Sequence, residues 1–166
     1  MVEGGDGGRQ HRKEKNGHED VEELAAADGD RKLKHIKNFG GIIRLSQLKN
    51  LKIISYPVGL LVHGYDHWIG LFVSENRVEI MDSSGVLSSK DIASSLRKFL
   101  CAQFYRKSFL CTPILQPHAS KICGYYSVLF LYLRLKHNVS IEKFSSMFSG
   151  DLHNNDKIVL DLFNYL

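Results

Sequence analysis

The chain has 166 residues, 43% of them hydrophobic and 24% charged, which suits one globular domain and excludes a multidomain machine. No run of 18 apolar residues occurs, which argues against a transmembrane helix, and the opening MVEGGDGGRQHRKEK lacks the apolar core of a secretory signal. The net charge of +4 is unevenly placed: residues 1–37 hold 8 Lys/Arg and 9 Asp/Glu, and the remainder holds 14 and 9.

Residues 1–36 are rich in Gly, Asp, Glu, Lys and Arg and carry few apolar side chains, too few to offset chain entropy. They are expected to be a mostly disordered charged tail, with a transient helix over Val21–Ala27, and the folded domain is expected over 37–166. The texture changes at Phe39. Ile42–Ser46 reads as extended and Ser46–Leu51 as one helical turn. Lys52–Ser55, Val58–His63, His67–Ser74 and Arg77–Asp82 read as short strands. Glu75-Asn76 is a two-residue turn that pairs the last two as a hairpin. Asp82-Ser83-Ser84-Gly85 is a loop. Ser89 can cap a helix reaching Phe104, with Ile92, Leu96, Phe99 and Leu100 on one face. Phe109–Leu115 is a further strand, and Pro117 opens a polar loop. Cys123–His137 is apolar and long enough for a buried helix. Ser140–Phe148 and Asn155–Tyr165 read as closing helices. Strands first and helices later define an α+β class with a small mixed sheet.

Four side chains of reactive type stand at element ends: His67, Asp82, Gln116 and Cys123. Cys123 lies where a polar loop meets the long apolar helix, so its thiol faces the positive end of the helix dipole, which favours thiolate. Gly124 beside it leaves room for a substrate backbone. The hairpin pairs residues whose numbers sum to about 151, so His67 falls opposite residue 84 and near Asp82. A carboxylate there can orient the ring and stabilise imidazolium. Gln116, seven residues before Cys123, sits on a loop that can fold back; its amide and the Cys123 backbone N–H are candidate oxyanion donors.

Other readings attach to the same residue types. His63 and His67 have a helical metal-pair spacing, but on a strand they stand about 13 Å apart. Only by adding Asp66 and Cys123 would a zinc site arise, and no metal is expected. Three cysteines cannot build a disulfide framework and point to reducing surroundings. Cys101 and Cys111 are expected in the core. His118 and Lys121 read as solvent-facing, although Lys121 lies close enough to Cys123 to favour thiolate. The scattered Lys and Arg read as solvated surface; their charge permits contact with nucleic acid or acidic proteins without requiring it.

The run His67-Trp68-Ile69-Gly70-Leu71, then Val78-Glu79-Ile80-Met81-Asp82-Ser83-Ser84-Gly85, then Gln116 with six residues to Cys123-Gly124, resembles the adenovirus-type (adenain-like) cysteine proteases. The pattern is shared by copies in virus-like DNA transposons and related insect or aquatic viruses. It is similar, more distantly, to the SUMO-deconjugating cysteine proteases. The lead-in Phe39–Leu48 resembles the stretch before the first strand in the virus-like proteins, and the resemblance spans about residues 39–135. It implies a central helix carrying the nucleophile Cys123. It implies His67 as general base and then acid, Asp82 as its orienting carboxylate and Gln116 in the oxyanion hole. Trp68 would flank the site, with its backbone and Gly124 holding substrate. Asp82 stands where adenoviral enzymes have Glu, as on the SUMO-protease side, whereas the Gln116–Cys123 spacing follows the adenoviral side.

The implied activity is thiol endopeptidase cleavage of viral or virus-like precursor proteins in virion maturation. Removal of a ubiquitin-like modifier and an inactive binding module are the alternatives. The implied enzyme is an intracellular monomer, in host nucleus or cytoplasm or packaged in a virion, that acts on protein and not on membrane. It needs no cofactor, though adenoviral relatives use a peptide and DNA as activators.

Overall fold

The computed structural model describes residues 28–64, 66–85 and 90–166, with the side chains of the helix that begins at Lys90 described from residue 94. The expected helix over 21–27 and the Ser89 cap lie outside the described residues, as does most of the charged tail. The packed region begins earlier than the sequence suggests. Residues 28–33 are helical, Leu33 is fully buried in the main core, and Ile36 packs against it. Two well-placed apolar side chains thus anchor a segment, within 28–36, whose composition reads as tail.

The chain then runs β1 (Phe39–Arg44), a 3-10 turn (Leu45–Asn50), β2 (Val58–Gly64), β3 (His67–Val73), β4 (Arg77–Met81), α1 (Lys90–Phe104), β5 (Ser108–Cys111), α2 (Cys123–His137), α3 (Ile141–Ser145) and α4 (Leu152–Asn164). The five strands form one sheet in sequence order. The β1–β2 and β4–β5 pairs are parallel, and β2–β3 and β3–β4 are antiparallel. The class is α+β with a mixed sheet, as the order of elements predicts.

Every residue of β3 is buried, because helices cover both faces of the sheet. On one face Leu61, Trp68 and Phe72 pack against Tyr126, Leu129 and Phe130 of α2. On the other, Leu60, Ile69, Leu71 and Ile80 meet Leu96, Phe99, Leu100 and Phe104 of α1. The central helix α2 is buried almost all round through its first ten residues. It lies so close to β3 that a methyl group on Gly70 would stand 3.2 Å from both the Ser127 carbonyl oxygen and the Phe130 ring. Asn138 ends α2 in the left-handed conformation, with Arg134, Lys136 and His137 in the last turn complementing the helix dipole.

A buried ion pair crosses the same layer. Glu79, fully buried on β4, accepts from Arg134 Nε at 2.9 Å and Nη2 at 3.2 Å, and the guanidinium lies 4.1 Å from the Phe72 ring centre.

Three expected elements are shorter or absent. Lys52–Ser55 is irregular, and Ile54 is 91% exposed; its apolar pattern finds no neighbouring strand to pair with. The strand expected to reach Leu115 ends at Cys111, and the helix expected to reach Phe148 ends at Ser145. Cys101 and Cys111 are exposed rather than in the core. Cys101 lies about 140° around α1 from Leu96, off the buried stripe, and Cys111 ends the edge strand.

Candidate active site

The turn between β3 and β4 fixes the register: Val73 pairs with Val78 and Gly70 with Met81, each pair summing to 151. The His67 and Asp82 ends therefore meet. His67 Nε2–H donates to Asp82 Oδ1 at 2.8 Å, with the residues only 6% and 2% exposed. Asp82 is held in turn by Thr112. Its N–H donates to Thr112 Oγ1 at 3.1 Å, and the Thr112 hydroxyl donates to the Asp82 carbonyl at 3.2 Å. The Ser84 hydroxyl lies 3.4 Å from His67 Nδ1. Burial by itself would lower the pKa of the imidazole. The hydrogen bonds to Asp82 and to Cys123, with the charges of both partners, outweigh it and raise the pKa to about 9.

Cys123 is the first residue of α2 and is 5% exposed. Its predecessor Ile122 makes no side-chain cap, and the first turn holds no acidic residue. The opening N–H groups of the helix thus have no side-chain acceptor from the cap, and their dipoles favour negative charge beside the sulfur. Ser127, one turn on, donates to the Trp68 carbonyl at 3.2 Å and ties α2 to the strand bearing His67.

Gln116 is 1% exposed. The Ser83 hydroxyl donates to its Oε1 at 2.6 Å, and the Ser83 carbonyl accepts from the N–H of Leu115 at 2.8 Å and of Gln116 at 3.0 Å. The Leu115 carbonyl accepts from Asn155 Nδ2 at 3.1 Å and stands 3.1 Å from the Tyr126 hydroxyl. Burial and the Asp156 carboxylate hold that hydroxyl protonated well above the usual phenol range. The loop is thus fastened to β4, α2 and α4 at once.

The structure brings the imidazole and carboxylate together and fixes the glutamine amide to the residue after the carboxylate, while Cys123 enters through its raising effect on the His67 pKa. Trp68 is buried, its ring stacks on His63 at 4.3 Å, and its carbonyl accepts from the Ser127 hydroxyl. Gly124 is buried, and His118 and Lys121 are exposed. Among the described residues no group of three or more His, Cys, Asp or Glu side chains is placed to hold a metal ion, and no helix is long and apolar enough to cross a membrane. Sequence reasoning missed Ser83, Thr112 and Asn155. Only Ser83 carried a local signal, its place directly after Asp82.

No protein-family model matches the chain, and no curated protein matches it. Among solved structures it is similar to the central domain of the uncharacterized Lpg1148 protein from Legionella pneumophila. The identity is 12%, over 84% of this chain and 93% of that one, with a TM-score of 0.49. It is similar to AvrA delL154 with IP6 and CoA at 12% identity, covering 81% of this chain and 57% of that one, with a TM-score of 0.45. It is similar to the SUMO protease Ulp1 with the catalytic cysteine oxidized to a sulfenic acid, at 11% identity over 86% and 77%, with a TM-score of 0.41. The chain thus spans little more than half of the AvrA chain. Likenesses this remote do not define an activity.

Proposed function

We propose that the chain is a cysteine-type peptidase acting on protein substrates. The observation that carries this reading is the buried imidazole of His67, held by Asp82 at 2.8 Å and raised in pKa by Asp82 and by Cys123, the thiol at the mouth of α2. Asp82 engages Nε2, so this reading assigns the sulfur to Nδ1, beside which the Ser84 hydroxyl also lies at 3.4 Å.

The chemistry follows from these positions. His67 takes the Cys123 proton, and the sulfur attacks the substrate carbonyl carbon, forming a tetrahedral oxyanion. The Cys123 backbone N–H and the Gln116 amide N–H stabilise that oxyanion. The imidazolium gives its proton to the leaving nitrogen as the carbon–nitrogen bond breaks, leaving a thioester on Cys123. Water, deprotonated by His67, then attacks the thioester. A carboxylic acid leaves and the thiol is restored. Asp82 keeps the ring aligned and offsets its charge throughout.

The finer reading is an adenovirus-type endopeptidase that trims virus-like precursor proteins, supported by the His67-Trp68, Asp82-Ser83 and Gln116–Cys123 motifs together. Release of a ubiquitin-like modifier uses the same chemistry on an isopeptide bond, and incubation with a modifier conjugate and with a virion precursor separates the two by product. Running each with and without DNA tests for an activator. Comparing wild type with Cys123→Ala on a proteome-derived peptide library tests the class itself. Cleavage by wild type alone is expected, and equal cleavage by both overturns the reading.

A further inference from the structure

We infer that Ser83 is a positioning residue that sets which end of the Gln116 carboxamide faces the reacting centre. The inference rests on the peptidase reading and deepens it. A carboxamide is nearly symmetric in shape, so packing alone does not distinguish its oxygen from its NH2 group. For an oxyanion site the difference decides function: NH2 stabilises the developing charge, and oxygen repels it.

The structure supplies an element that discriminates. The Ser83 hydroxyl is fully buried, and among the described residues its hydrogen-bond partner is Gln116 Oε1, at 2.6 Å. Its own carbonyl is occupied by the Leu115 and Gln116 N–H groups. A buried hydroxyl proton needs an acceptor, and Oε1 provides it. That requirement directs the amide oxygen toward Ser83 and the NH2 group away from it. The three bonds from Ser83 also fix where the glutamine backbone sits. The same residue follows Asp82 directly, so one tight loop sets both the carboxylate that aligns His67 and the orientation of the oxyanion donor.

The test is Ser83→Ala, read with the peptide that wild type cleaves fastest in the library. With no hydroxyl to hold Oε1, the amide spends part of its time reversed. Equal populations of the two orientations would lower kcat about twofold, and a preference for the reversed one would carry the loss toward the roughly 10²–10³-fold of a missing donor, so a fall of at least about twofold with little change in KM is expected. The rate at which iodoacetamide alkylates Cys123 should stay near the wild-type value, because the thiol and His67 are untouched. In a Gln116→Ala background Ser83→Ala should have no further effect on kcat, since no amide remains to orient. That background also leaves no buried amide oxygen unsatisfied, so the comparison holds even if Ser83→Ala alone folds poorly. An active wild type with unchanged kcat in Ser83→Ala overturns the inference and leaves the peptidase reading standing. So does an equal further loss in the Gln116→Ala background. A wild type that cleaves nothing overturns both.

Discussion

Replacing Asp82 by Asn keeps the shape beside His67 and removes the charge. His67 is held near pKa 9 against an ordinary value of 6.5. Burial works against that rise, so it depends on Asp82 and Cys123. A group raised in the folded state binds more protons folded than unfolded, so it stabilises the fold fully below pH 6.5 and loses that effect as pH climbs through 9. At 1.36 kcal/mol per unit, the whole effect is on the order of 3 kcal/mol, with roughly half lost by pH 8. Urea unfolding of wild type and Asp82→Asn at pH 6, 7, 8 and 9.5 reads the share of it that Asp82 supplies. The gap between them should be widest at pH 6 and close by pH 9.5. A gap of constant size across that range would refute the reasoning, because the bond to Asp82 would then stabilise without involving the charge on His67.

Other consequences of the fold are testable by unfolding alone. Arg134→Met leaves Glu79 buried with only the longer 3.8 Å contact to Arg77, and should cost about 3–5 kcal/mol. Adding Glu79→Leu should recover much of that loss, since the stranded charge is what costs most. Gly70→Ala forces a methyl group against the Ser127 carbonyl and Phe130 ring and should destabilise by about 1–3 kcal/mol. Asn155→Ala removes the side chain that joins the Leu115 carbonyl to the Ser149 backbone at 3.1 and 2.9 Å; a loss of about 1–3 kcal/mol is expected.

Much of the site was legible in the sequence because it depends on local rules. A two-residue turn at Glu75-Asn76 fixes a register, and the register brings His67 to Asp82 without long-range information. The apolar run from Cys123 declares a buried helix, and its first residue is a thiol. What was not legible depends on distant partners. Glu79 and Arg134 lie 55 residues apart, and nothing near either announces the other. Asn155 reaches Leu115 across 40 residues. Leu33 is a single apolar residue amid charges, and only the packed core shows its burial. Lys52–Ser55 has a strand-like pattern, but a strand forms only where a neighbour accepts its hydrogen bonds. Alternation along β3 turns the Trp68 ring into the core beneath α2, which its place beside His67 in the sequence does not announce.

The proposed peptidase chemistry requires His67 and Cys123 to act as one chemical unit. Site-resolved mass spectrometry of iodoacetamide labelling at pH 7 measures this most directly, since it separates Cys123 from the exposed Cys101 and Cys111. Rapid modification of Cys123 in wild type is expected, with a fall of about tenfold or more in His67→Ala, while the other two thiols keep their rates. Equal Cys123 rates in the two proteins would contradict it.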